Sequence, residues 1–469
     1  MSDLAIQTAP IPGLLVVDLP VHGDSRGWFK ENWQRAKMVA LGLPDFRPVQ
    51  QNISFNAEAG VTRGLHAEPW DKLIGLAKGR IFGAWVDLRP GETFGASFTL
   101  EMGPEKAVFV PRGVANGYQA LEPDTAYSYL VNEHWSPQAR ASYTYLNLAD
   151  ETVGIDWPIP LSEAILSDAD LAHPRLAAVV PMQPRRTVIV GAGGQLGRAL
   201  REALPDAVAL TRGELDITDR AAVQSFDWQG VGVIVNAAAW TAVDAAETGE
   251  GRRGAWAVNV DGVRNLVDVA ARNRITLVQV SSDYVFYGVA EIHAEDEPFS
   301  PLSVYGATKA AGDSVVMTLP DYYVVRTSWV IGDGKNFVRT MESLAARGVS
   351  PRVVNDQFGR LAFAADLAAG IAHLLAVRPA VGIYNLTNDG PVTSGFEIAR
   401  DVFALSGRDP ADVAPQSTAE FGAGKVVAPR PVHSGLELDK IKSVGFVPRD
   451  AGGALREYLG DSHSEVSIS

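Results

Sequence analysis

The sequence predicts two domains of different class in tandem: an all-β sandwich or jelly roll over residues 1–181, then an α/β doubly wound parallel sheet with a small C-terminal lobe over 186–469. Three observations predict this. The 469 residues exceed what one hydrophobic core usually organises. From about 14 to 146, short runs rich in Val, Ile, Phe, Tyr and Trp alternate with Gly, Pro, Asn and Asp, the texture of antiparallel strands. After 187 strand-like and helix-like segments alternate, beginning with VIVGAGGQLG at 188–197, and such alternation needs parallel strands joined by crossover helices.

In chain order, the first half offers LLVVDL at 14–19, RIFGAWVDLRP at 80–90, KAVFVPRG at 106–113 and AYSYLVNEHW at 126–135 as strands. Residues 148–175 read as irregular, and AAVVPMQPRR at 177–186 reads as the linker. The second half offers TVIVGA, QLGRALREAL, VGVIVNAAAW, GVRNLVDVAARN, TLVQVSSDYVF and YGATKAAGDSVVMTL as alternating strands and helices. The last hundred or so residues are expected to form a substrate-binding lobe, and the polar tail DSHSEVSIS to be unstructured.

Composition narrows the chemistry. The net charge of −14 argues against affinity for nucleic acid or an anionic membrane. Having no cysteine, the chain cannot use disulfides, thiolate catalysis or Cys-ligated zinc, which fits a cytoplasmic protein. No segment approaches a membrane span or a signal peptide. With eight His and no ligand-spaced cluster around His66, no catalytic metal is expected.

In the second half Gly191, Gly194 and Gly197 follow an apolar strand and open a helix, so the backbone at Gln195 and Leu196 can face a pyrophosphate. Glycines also cap helices, and the loop alone decides nothing. The next strand, VALTR, carries no carboxylate at its end, while Thr211 and Arg212 suit a 2′-phosphate; NADPH is favoured, with NADH admissible. Ser282 follows a buried strand, and Tyr305 and Lys309 fall one helical turn apart. That spacing lets an ammonium lie beside a phenol and draw its pKa towards neutrality while the Ser hydroxyl shares a substrate oxygen. A packed ring beside a solvated Lys would give the same spacing; it is the ordered set of glycine loop, Ser, Tyr and Lys that favours chemistry.

These residues resemble the extended short-chain dehydrogenase/reductase family. LDITD at 215–219, VNAAAWTAVDAAE at 235–247, SSDYVF at 281–286, PLSVYGATK at 301–309, RTSWV at 326–330, NDQFG at 355–359 and RPVHSGL at 430–436 narrow the resemblance to dTDP-4-dehydrorhamnose reductase, over nearly all of 187–460. The resemblance implies a Rossmann-type sheet, with Ser282, Tyr305 and Lys309 catalytic. Cofactor would be held around Gly191, Gly194, Gln195, Leu196, Gly197, Arg212, Asp216, Ile217, Ala237, Ala238 and Ala239, and substrate around Thr241, Val243, Asp244 and Trp329. Arg360-Leu361-Ala362 departs from the Pro-Thr that usually follows NDQFG.

The first half is similar to dTDP-4-dehydrorhamnose 3,5-epimerase, a cupin-like jelly roll, through GDSRGWFKE at 23–31, VQQN at 49–52, TRGLH at 62–66, VDLRPGETFG at 86–95, ANGYQAL at 115–121, YLVNEHWSP at 129–137, GIDWP at 154–158 and LSDADLAHP at 166–174. The resemblance implies His66 as base oriented by Asp170, Tyr129 as acid and Lys72 beside the enolate. Arg26, Phe29, Glu31, Gln50, Asn52, Arg63, Asn116 and Trp135 would contact a dTDP-sugar, and a homodimer would form through this domain by strand exchange. Removing protons beside a ketone needs just such a base, cation and donor. A lone strand His is more often structural, but Arg63, His66 and Lys72 within ten residues want an anion. Gly83 stands where Asp is usual, Asn116 where His is usual and Trp135 where Tyr is common, and the loop from His66 to Lys72 is short. Two alternatives stay open at this stage: a first half that only binds nucleotide sugar or dimerises, and a second half that only senses dinucleotide.

Overall fold

The computed structural model describes residues 3–466. Its chain divides into two compact units, Met1–Pro184 and Arg185–Ser469. The expectation of an unstructured polar tail is corrected in part: helix Ala451–Val466 runs through its first six residues, and 467–469 lie outside the described residues.

The first unit is a jelly roll of two antiparallel sheets. One has six strands in the order Ala5–Thr8, Leu15–Asp18, Lys106–Val110, Lys72–Lys78, Thr125–Val131, Gln50–Asn56, and the other has five in the order Thr144–Tyr145, Thr62–Ala67, Val114–Ala120, Ile81–Asp87, Ser97–Met102. Ile74, Leu76 and Val108 from the first sheet meet Ile81, Trp85 and Tyr118 from the second in one buried cluster, so the core lies between the sheets. Gly64 is required at the mouth of this sandwich. Its φ is +121°, and a Cβ there would lie 2.5 Å from the Gly117 Cα on the neighbouring strand.

The linker expectation is corrected. Leu176, Val179 and Met182 pack into a core cluster of the first unit, and Met182 N–H donates to the Leu88 carbonyl at 2.8 Å. The stretch contains two prolines, but its apolar residues have a surface of the first unit to bury against.

The second unit is a six-stranded, all-parallel sheet ordered Val208–Leu210, Arg186–Val190, Val231–Asn236, Thr276–Ser282, Tyr322–Thr327, Gly382–Asn385. Chain order reverses between Arg186–Val190 and Val231–Asn236, the switch point where doubly wound sheets bind ligands at the strands' carboxyl ends. Helix Gln195–Ala203 leaves that point and packs against helix Ala364–Val377.

The lobe is not simply the last hundred residues. The last strand of the main sheet, Gly382–Asn385, lies inside that span because it pairs with Tyr322–Thr327. The lobe's own core instead unites Ile331, Val338 and Phe363 with Val402, Phe403 and Leu455, so it is assembled from segments on both sides of the strand.

Gly197 sets how closely the first helix approaches the sheet. A Cβ there would lie 2.3 Å from the Gly191 carbonyl oxygen and 2.6 Å from Ala192 Cα, atoms that cannot swing aside. We expect Gly197→Val to destabilise the second unit by about 1–3 kcal/mol and to weaken NADPH binding. Calorimetry should show one of two thermal transitions lowered.

Candidate active sites

In the first unit, His66 lies on the Thr62–Ala67 strand with Asn116 and Tyr145 as its cross-strand neighbours. Its Nε2 is 3.1 Å from Asp170 Oδ1. Asp170 is buried in the short helix Asp168–Leu171, which Ser167 caps by accepting from the Asp170 N–H at 3.1 Å. Burial pushes the Asp170 carboxyl up, but hydrogen bonds from His66 and Ser167 outweigh it and hold the group below its ordinary value. Asp170 is therefore an anion placed to accept from His66 Nε2, which leaves the other ring nitrogen outside that bond.

The expectation of no ligand cluster around His66 is corrected. His173 stacks on Tyr145 at 4.7 Å and sets its Nδ1 4.0 Å from Asp170, so His66, Asp170 and His173 bring their ligand atoms within 4.8 Å of one another. Such a group can hold a divalent cation. Residue spacing hid it, because His173 arrives more than a hundred residues after His66.

Lys72 is buried on the Lys72–Lys78 strand of the facing sheet. Its Nζ donates to Asn116 Oδ1 at 2.9 Å, pairs with Glu68 at 2.5 Å and lies 5.1 Å from the Tyr129 ring. Burial pulls the ammonium below its usual value against the attraction of Glu68. Burial also pushes the Tyr129 phenol up to about 12, so it keeps its proton at neutral pH, as an acid must. Asn52 is the cross-strand neighbour of Tyr129, Gln50 donates to Asn52 at 2.9 Å, and Gln50 accepts from the Trp135 backbone at 3.1 Å. His66, Asp170, Lys72, Asn116, Tyr129, Asn52, Gln50 and Trp135 thus form one connected group.

Three expected substrate residues are placed elsewhere. Arg26 and Phe29 sit on the exposed hairpin His22–Asp24/Gly27–Phe29, where Arg26 pairs with Asp24, and Glu31 pairs with Lys37 at 2.6 Å. Arg63, by contrast, stays beside the site: it donates to Asn56 Oδ1 at 3.1 Å and its charge acts on Tyr129.

In the second unit Gly191 packs on the neighbouring strand end, where a Cβ would lie 2.5 Å from Ala238 N. Gly194 caps helix Gln195–Ala203 without a side-chain bond, so the helix's first amides open on the glycine loop. Ala237, Ala238 and Ala239 extend the adjoining Val231–Asn236 strand, partly exposed. A dinucleotide pyrophosphate fits a loop so stripped of side chains.

The side chains of several expected cofactor residues are engaged within the protein, which leaves their backbone amides as the groups that could face a cofactor. Gln195 accepts from Gly332 N–H at 2.8 Å, which commits its amide to the protein, and Leu196 and Ile217 are core residues. Asp216 pairs with Arg212 at 3.0 Å and accepts from the Thr218 backbone at 2.9 Å. Glu214 folds back on Thr211, accepting from its N–H at 2.7 Å and its hydroxyl at 2.8 Å, so a carboxylate does stand beyond the second strand. A turn brings it there.

Ser282 donates to Asp283 at 2.8 Å and hydrogen-bonds Tyr305. Lys309 Nζ donates to the Val280 carbonyl at 2.6 Å. The Tyr305 phenol is not drawn towards neutrality. Burial pushes it up, and the charges of Asp283 and Asp313 add to the shift despite the Ser282 bond. Burial lowers Lys309 to about 8 against Asp313, and raises Asp313 itself to about 6. Asp313 also accepts from Ser281 at 2.6 Å. Among the substrate residues, Thr241 is exposed and Val243 partly so, while Asp244 binds Arg430 at 2.8 Å and Ala428 N–H at 2.9 Å, tying the strand-end loop to the lobe. Trp329 packs over Gly359. The Arg360 departure has a structural role, since its guanidinium holds the Gly390 and Leu436 carbonyls at 2.8 and 2.7 Å.

Sequence reasoning missed Glu68, His173, Asp313 and Asn259. Asn259 sits in the π-helical turn Ala257–Gly262 and bridges Trp240 N–H (2.9 Å) to Thr308 Oγ (3.0 Å). An acid four residues from each reactive Lys was the available signal for Glu68 and Asp313.

Fold and sites together define a two-unit chain, one unit with the groups for proton transfer and the other with a loop for a dinucleotide. Residues 8–178 match the family model for dTDP-4-dehydrorhamnose 3,5-epimerase, and residues 185–463 match that for the RmlD substrate binding domain. The chain is 50% identical over 180 residues to a protein RmlC homolog of Streptococcus pyogenes serotype M6, covering 37% of this chain and 90% of the relative. It is 41% identical over 282 residues to the dTDP-4-dehydrorhamnose reductase of Streptomyces griseus, covering 57% and 90%. The crystal structure of dTDP-4-dehydrorhamnose reductase from Bacillus anthracis in complex with NADP is similar at 34% identity, with a TM-score of 0.55 over 60% of this chain and 99% of that one. The chain belongs to the dTDP-4-dehydrorhamnose 3,5-epimerase family through its first unit and to the RmlD family through its second.

Because Asp170 both orients and polarises His66, Asp170→Asn should lower the rate of proton removal by about 10²–10⁴-fold. Solvent deuterium incorporation into the ketosugar measures it, and NADPH oxidation of a pre-epimerised substrate should be unchanged.

Proposed function

We propose that this chain is a bifunctional enzyme that epimerises dTDP-4-dehydro-6-deoxy-D-glucose at C3 and C5 and then reduces the C4 ketone with NADPH to give dTDP-L-rhamnose. What carries the reading is that each family-matched unit holds an acid–base set: His66, Asp170, Lys72 and Tyr129 in the first, Ser282, Tyr305 and Lys309 in the second.

In the first unit His66 takes the proton from the carbon beside the ketone, the Lys72 ammonium stabilises the enolate oxygen, and Tyr129 returns a proton from the opposite face. His66 then releases its proton to solvent and Tyr129 takes one back from solvent, and repetition at the second carbon completes the inversion. In the second unit NADPH supplies hydride to C4 when bound. Tyr305 gives its proton to the carbonyl oxygen, Ser282 hydrogen-bonds that oxygen, and Lys309 keeps positive charge beside the site. The glycine loop and the helix N-terminus would hold the pyrophosphate, and the exposed Arg212 would have to leave its Asp216 partner, 3.0 Å away, to meet a 2′-phosphate.

The homodimer through the first unit is part of the proposal. Gln50–Asn56 is an edge strand with Ile53 66% and Phe55 58% exposed, and Phe29 on the hairpin is 66% exposed; an edge so apolar wants a partner. A second copy would give Arg26 and Phe29 a surface to contact. No helix among the described residues is long and apolar enough to cross a membrane. We assign the enzyme to the cytoplasm, where nucleotide sugars and NADPH are made.

Full-length protein incubated with dTDP-4-dehydro-6-deoxy-D-glucose and NADPH in D₂O should yield dTDP-L-rhamnose deuterated at C3 and C5, identified by NMR. His66→Ala should abolish both label and product. Tyr305→Phe should abolish NADPH oxidation and leave the label; loss of both signals in that variant would break the two-site reading.

A further inference from the structure

Glu68 belongs to none of the motifs that pointed to the first site, yet it is the closest charge to that site's only buried cation among the described residues. It is 9% exposed, in a position where a carboxylate survives only with partners. It has two, the Lys72 ammonium at 2.5 Å and the Trp70 indole N–H, which donates at 2.6 Å. Trp70 is itself buried edge-on against Tyr143, with ring centroids 5.5 Å apart. The carboxylate is thus clamped, and the ammonium it holds is shared with Asn116 and lies over the Tyr129 ring.

The surroundings exclude a carboxylate at the position where one was missed in the sequence. A Cβ on Gly83 would lie 2.5 Å from the Trp85 ring, which fills the space a side chain at 83 would need. The charge that balances Lys72 comes from the connection before its own strand.

We propose that Glu68 is a positioning residue of the epimerase site, the buried counter-charge that fixes the Lys72 ammonium beside Tyr129 and keeps both groups carrying their protons during turnover. This rests on the epimerase reading above. Besides Lys72, the ionisable groups facing this space are Glu68, Tyr118, Tyr127, Tyr129, Tyr143, Tyr145, Arg63 and Arg140. Glu68 is the one anion among them, and its charge opposes ionisation of Tyr127, Tyr129 and Tyr143 as well as opposing the loss of the Lys72 proton. The sign is the same throughout. Removing the carboxylate lets Lys72 and Tyr129 deprotonate at lower pH, and the enolate loses its cation while the ring loses its proton donor.

The test is the pH profile of deuterium incorporation at C3 and C5 by the full-length protein. For Glu68→Gln the alkaline limb should move to lower pH by about one unit, a tenfold change in the ionisation constant. The loss should fall mainly on kcat and leave KM little changed. Glu68→Asp, which keeps the charge, should return the limb towards the wild-type position. An unmoved limb in a folded Glu68→Gln protein that still reduces pre-epimerised ketosugar would overturn the proposal. Should that variant fail to fold, Trp70→Phe removes the indole donor from Glu68 while keeping an aromatic ring against Tyr143; a lowered rate with a shifted limb supports the role, and a wild-type profile refutes it. Wild-type protein that incorporates no deuterium would instead overturn the epimerase reading itself.

Discussion

Each unit buries an ammonium, and much of the local structure is a means of tolerating that charge. Moving an unpaired cation out of water costs several kcal/mol, and a Lys that lost its proton to escape that cost could not serve a developing oxyanion. Both units place a carboxylate four residues from the Lys. In the jelly roll Glu68 precedes Lys72 across a turn, and in the doubly wound unit Asp313 follows Lys309 by one helical turn. The second case is the more elaborate. Asp313 is fully buried, bonded to Ser281 and 3.8 Å from the equally buried Arg326, whose guanidinium is sandwiched between the Phe286 and Phe299 rings. Two cations thus share one anion, and Lys309 is left poised at about 8, where modest changes in its surroundings alter its charge.

The same constraint explains why the two reactive tyrosines keep their protons. Burial alone raises a phenol, and a nearby carboxylate raises it further, so the anion that keeps a Lys charged also keeps a Tyr neutral. A site arranged this way supplies a cation and an acid together. That combination is common to both proposed reactions, since each generates negative charge on a ketosugar oxygen and each needs a proton delivered nearby.

Much of the architecture was legible because it follows from local periodicity. The parallel strands, the glycine turn, and Tyr305 with Lys309 on one helix need no knowledge of distant residues. What escaped depends on side-chain direction or on long-range closure. Gln195 and Ile217 sit in the right loops, yet one is bonded to Gly332 and the other is in the core, and a motif does not tell backbone neighbours from side-chain contacts. His173 reaches His66 only because a short helix folds back on the sheet edge, and Glu214 reaches Thr211 only through a turn. The linker was misread for a related reason: Val179 and Met182 look like tether residues until a groove is there to receive them.

Joining the two units on one chain has a chemical rationale. Epimerisation only redistributes protons around a ketone, so its equilibrium is set by the relative stability of two ketosugars and nothing in the first site can move it. Hydride addition removes the ketone, and with it the acidity of the C3 and C5 protons, so the product can no longer re-enter the first site's chemistry. The fusion holds the two activities at a fixed one-to-one ratio, so that every site releasing the epimerised ketosugar is matched by one that consumes it. The matched ratio requires no passage between the sites. It follows from covalent linkage alone, and each unit retains its own core and its own buried cation to do its part.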